Sequence, residues 1–75
     1  MAFSHSDLRL ADQRLALARE RIERQREIIQ ELAAARRDTS HAEAVFKSMR
    51  RTLESFEADR RAIEDEVFAL KASRH

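Results

Sequence analysis

Residues 8–32 read LRLADQRLALARERIERQREIIQEL. Within this stretch Leu8, Leu15, Ile22 and Ile29 recur every seven residues, interleaved with Ala11, Ala18, Gln25 and Leu32. Such 3-4 spacing marks the a and d positions of a heptad repeat, and about four heptads of it identify a coiled-coil helix. A second tract obeys the same rule: Phe46, Leu53, Arg60 and Val67 alternate with Ala42, Met49, Phe56, Ile63 and Leu70.

The segment between the tracts is short and rich in helix-starting residues. In Arg37-Asp38-Thr39-Ser40-His41, each of Asp38, Thr39 and Ser40 is a competent N-cap, and Ser40 with Glu43 has capping-box spacing. Ser4 with Asp7 repeats that spacing at the start of the first tract. The expected elements are helix one over about 4–36, a turn over about 37–40 and helix two over about 40–73. So few connecting residues cannot carry the chain back along a rod of this length, so the helices must run antiparallel.

The fold class is therefore all-α, a single two-helix antiparallel coiled-coil hairpin spanning residues 1–75. Setting Arg36 opposite Ala42 continues the layers without a skip: Leu32–Phe46, Ile29–Met49, Gln25–Leu53, Ile22–Phe56, Ala18–Arg60, Leu15–Ile63, Ala11–Val67 and Leu8–Leu70. Small residues then face large ones at Ala11 and Ala18. In this register the flanking positions set Arg14 against Glu66, Arg21 against Asp59, Ile28 against Thr52 and Ala35 against Val45. The expected hairpin core is Leu8, Leu15, Ile22, Ile29 and Leu32 with Phe46, Met49, Leu53, Phe56, Ile63, Val67 and Leu70.

Composition agrees with long helices. The 75 residues contain no glycine, proline or cysteine, and 39% are charged, a profile of helical coiled coils. The lack of cysteine rules out disulfides and thiolate metal sites. A chain this short seldom stabilises itself by more than about 3–5 kcal/mol from one core without a partner. Net charge is +1, so no global attraction to nucleic acid or anionic membrane applies. No apolar run reaches the length of a membrane span, and Met1-Ala2-Phe3-Ser4-His5 lacks the pattern of a signal peptide. The expectation is a cytoplasmic protein without membrane association. Thirteen arginines against two lysines hint at a GC-rich bacterial genome.

Apolar residues also fall outside the seam. Leu10, Leu17, Ile28, Val45 and Phe68 would stay wet in a lone hairpin, with Ala35, Ala62 and Ala69 widening the same flank. A second copy packed there gives a four-helix bundle, which makes a homodimer the expected assembly, another protein being the next candidate partner. Gln25 and Arg60 are the polar residues of the seam. Arg60 has Glu57 and Glu64 one turn away on its own helix. Both read as register control, since a polar seam residue penalises slipped pairings.

Catalytic chemistry is not visible. His5, His41 and His75 are widely separated, so no metal or cofactor is expected, and no glycine-rich phosphate loop is possible. The expected function is that of a non-enzymatic structural or protein-interaction module, an adaptor or small regulator. The alternative is a small nucleic-acid-associated protein using a basic hairpin tip of Arg36, Arg37, Lys47, Arg50 and Arg51. Most other arginines lie where the opposing helix offers carboxylates, which weakens that alternative.

Arg24-Gln25-Arg26-Glu27-Ile28-Ile29 with Glu31-Leu32, and Asp38-Thr39 followed by Ala42-Glu43, carry a resemblance to other proteins. Across about residues 7–70 the chain resembles small helical-hairpin proteins of rhizobial-type alphaproteobacteria. The resemblance implies the same fold and brings no activity, ligand or functional residues. Those proteins often have glycine before the Asp-Thr pair; Arg36 and Arg37 stand there in this chain.

Overall fold

The computed structural model describes residues 3–72, with side chains through Ala69. Two helices, α1 (His5–Ala34) and α2 (Ser40–Ala72), fold back on one another as an all-α hairpin measuring 62 × 15 × 15 Å. The expected end of helix two near residue 73 and the side chain of Leu70 lie outside the described residues.

The start of α1 follows from its sequence. Ser4 is extended at φ −117° and ψ 174°, and its hydroxyl accepts from the Asp7 N–H at 3.4 Å. The Asp7 carboxylate accepts in return from the Ser4 N–H at 2.8 Å, completing the capping box. Two orphan N–H donors of the first turn are thereby satisfied, and the Asp7 charge sits at the positive end of the helix dipole.

The helix stops two residues short of its expected end. Arg36 adopts φ +56°, the left-handed conformation that L-residues other than glycine rarely enter. The Arg37 N–H then bonds the Leu32 carbonyl at 2.9 Å and the Arg36 N–H bonds the Ala33 carbonyl at 3.0 Å. Those two bonds define a Schellman motif, with arginine in the place glycine usually takes. On the far side of the turn, the Asp38 carboxylate accepts from both the Ser40 N–H at 3.0 Å and the Ser40 hydroxyl at 2.7 Å. The Glu43 N–H bonds the Thr39 carbonyl at 2.9 Å. The expected Ser40–Glu43 capping box is thus replaced by an Asp38 turn, because the Ser40 hydroxyl donates to Asp38.

The register differs from the expected one by a full heptad. The buried Gln25 amide donates to the carbonyl of Ala42 at 2.9 Å. Had Gln25 faced Leu53, Ala42 would lie about 16 Å farther along α2, far beyond the reach of a glutamine. Two further contacts agree: Arg60 pairs with Asp12, and the Arg26 guanidinium sits 5.5 Å from the centre of the Phe46 ring. Shifting α2 by seven residues preserves a against d throughout. The layers become Ile29–Ala42, Gln25–Phe46, Ile22–Met49, Ala18–Leu53, Leu15–Phe56, Ala11–Arg60 and Leu8–Ile63. Leu32 now meets Thr39 in the turn, and Thr39 is accordingly half-buried. The tight Schellman closure brings α2 back sooner than a turn begun after Arg36 would have done.

Leu15, Ile22 and Val67 are buried, joined by Ala11, Ala42 and Gln25. Leu8, Ile29, Leu32, Phe46, Met49, Leu53, Phe56 and Ile63 are half-buried. Among the described residues no large side chain is fully enclosed. Two helices alone cannot surround a side chain, so this hairpin has a seam rather than a closed core. No helix among the described residues is long and apolar enough to cross a membrane.

Candidate protein-interaction site

One flank of the hairpin carries apolar side chains that the seam does not cover. Phe3, Leu10 and Leu17 follow one another at seven-residue spacing and are 40%, 46% and 47% exposed. Helical geometry puts Leu10 and Leu17 on the side of α1 that also bears Asp7, Arg14, Arg21 and Ile28, and Phe3, ahead of the cap, lines the same groove as Leu10. On α2 the matching residues are Val45, Thr52, Asp59 and Glu66.

Two shallow grooves run along this flank. The first, toward the open end of the hairpin, is lined by Phe3, Asp7, Leu10 and Ala11 from α1 with Asp59 and Ile63 from α2. The second, toward the turn, is lined by Leu17, Ala18 and Arg21 with Ser48, Met49 and Thr52. Arg14 and Phe56 belong to both and form the saddle between them. The heptad shift reassigns the flanking pairs. Arg14 shares its groove with Asp59 where Glu66 was expected, and Arg21 shares its groove with Thr52 where Asp59 was expected. The same shift sets Ile28 at the level of half-buried Val45 nearer the turn.

Phe68 does not belong to this surface. It is 55% exposed and follows the buried Val67 by one residue, a 100° rotation that takes it to the opposite flank. Sequence reading puts it at a b position near the open end and counts it with the leucines as part of the flank a second copy would cover.

Apart from Phe68, the opposite flank is mostly polar among the described residues. Arg60 lies along the seam at the level of Ala11, held by Asp12 of α1 and Glu64 of α2. Those hydrogen bonds, Asp12 foremost, raise the guanidinium pKa above its ordinary value, so the charge persists at every accessible pH. Glu57, expected as a second anchor, lines the same cleft as Arg60. With its side chain one-third exposed, Arg60 keeps its head wet while its stem covers apolar surface.

The basic residues proposed for the tip do not form one cluster. Arg36 and Arg37 are exposed at the turn itself. Lys47, Arg50 and Arg51 are also exposed but lie about 10–16 Å along α2 from its start. His5 and His41 begin the two helices at opposite ends of the rod, and His75 lies outside the described residues.

The comparisons add no relative: no family model, no curated protein and no solved structure matches the chain.

Proposed function

We propose that this hairpin is a non-enzymatic protein-interaction module, an adaptor or small regulator that works in the cytoplasm by pairing with a second copy of itself. The observation carrying this reading is the row of Phe3, Leu10 and Leu17, large apolar side chains each 40–47% exposed on one flank of a rod without an enclosed core. Large apolar side chains exposed in a row along one flank mark a candidate interaction site. A second hairpin covering it produces a four-helix bundle, in which the apolar faces of all four helices share one interior. Kinship with the rhizobial-type hairpin proteins belongs to the same proposal, and it contributes the fold alone.

Sedimentation equilibrium at micromolar concentration tests the reading. The expected mass is twice the 8.8 kDa of the chain, with high helicity by circular dichroism. A compact, stably folded monomer would contradict it.

A further inference from the structure

The two grooves are complementary to each other, and this bears on how two copies meet. The groove at the open end is acidic, containing Asp7 and Asp59; the groove nearer the turn contains Arg21 and no carboxylate. Each holds one exposed leucine, Leu10 in the first and Leu17 in the second. The saddle of Arg14 and Phe56 lies midway between them.

We propose that the occupant of this flank is a second copy running in the opposite direction, related by a two-fold axis that crosses the rod at the Arg14–Phe56 level. This inference rests on the self-pairing reading above and specifies its geometry. The operation exchanges the grooves, so that the acidic groove of each copy receives the basic groove of the other. Leu10 packs against the partner's Leu17, and Asp7 faces the partner's Arg21. Phe3 meets the aliphatic stem of the partner's Arg24. Arg14 and Asp59, already neighbours within one copy, form a balanced charged layer on the axis. An interface built this way is isologous, each contact occurring twice.

The competing arrangement sets both turns at the same end. It places Leu10 over the small Ala62 of the second copy, which suits packing. It also gathers Asp7 and Glu66 of both copies at one level, so that four carboxylates outnumber the two Arg14 side chains that share the groove with Asp7. Like charges brought together at an interface disfavour that pairing, which makes charge the deciding term.

Because the chain has no cysteine, single-cysteine variants report direction without ambiguity. Leu10→Cys and Leu17→Cys are prepared separately, mixed in equal amounts and oxidised mildly. The mixed disulfide is expected to predominate, with little cross-linking of either variant alone. Cross-linking of each variant to itself in preference to the other overturns the opposed arrangement. So does the absence of a mixed disulfide from a sample whose sedimentation mass is dimeric. Either result leaves the interaction-module reading standing, whereas a monomeric mass removes both. Arg21→Glu supplies a second measurement that does not depend on disulfide geometry. It is expected to weaken association by about tenfold at low salt with helicity unchanged; unaltered association overturns the proposed pairing of Arg21 with the partner's acidic groove.

Discussion

Gln25 is the residue on which the register turns. A glutamine in an apolar seam is stabilised only if its amide finds a partner, and the Ala42 carbonyl in the first turn of α2 provides one. Gln25→Ala is expected to cost about 0.5–1.5 kcal/mol, the net value of one hydrogen bond, measured by urea denaturation. Gln25→Leu is the more informative change. It should retain helicity and lose little stability, while admitting a second register visible as doubled amide resonances around residues 42–46. Arg60 contributes less. Because its side chain is one-third exposed, solvent screens its ion pairs, and Asp12→Asn is expected to lower stability by less than about 1 kcal/mol. The Arg26–Phe46 contact is of comparable size, about 0.5–1 kcal/mol at an exposed site.

At the scale of elements, the ends of the helices decide more than their middles. Arg36 occupies a left-handed position where glycine carries no steric cost. Arg36→Gly is therefore expected to stabilise the hairpin by about 1 kcal/mol, raising Tm by roughly 4–8 °C in a domain of this size. An unchanged or lower Tm would argue against the Schellman closure. Asp38 anchors the start of α2. The two hydrogen bonds from Ser40 hold its carboxyl below the ordinary carboxylate range. The unfolded chain consequently takes up that proton at a higher pH than the folded one. The stabilisation is complete above the ordinary range and is lost as pH falls toward the lowered value. Asp38→Asn should flatten the acid limb of the Tm-against-pH curve.

These ends also mark how far the sequence could be read. The capping box at Ser4 was legible because Ser-x-x-Asp supplies both partners locally. The opening of α2 was not, since Asp38, Thr39 and Ser40 compete and the winner depends on where the turn directs the chain. Among the described residues, each position read as a or d in the heptads is buried or half-buried. A periodic pattern, however, is unchanged by sliding one helix past the other by seven residues. Only aperiodic features break that degeneracy: the length of the turn, the reach of Gln25 and the pairing of Arg60 with Asp12.

For the whole molecule, the exposed leucines are where the proposed self-association is tested. Leu17→Glu places a charge in the proposed interface, opposite the partner's Leu10, and outside the seam between α1 and α2. It is expected to shift the sedimentation mass from dimer toward monomer and to lower Tm by an amount that depends on protein concentration in the parent chain. The flank itself was visible in the sequence through Leu10 and Leu17. The division of that flank into an acidic and a basic groove was not, because it follows from which heptad of α2 lies beside which heptad of α1.

The pairing of the two helices is tested most directly by intramolecular disulfide formation in two double variants at low protein concentration. Ile22→Cys with Met49→Cys is expected to close a disulfide rapidly at monomer mass, since the register places these positions in one layer of the seam. Ile22→Cys with Phe56→Cys is expected to stay reduced, its sites lying about 10 Å apart along the rod. Efficient closure of the second pair and not the first would contradict the register and everything built on it.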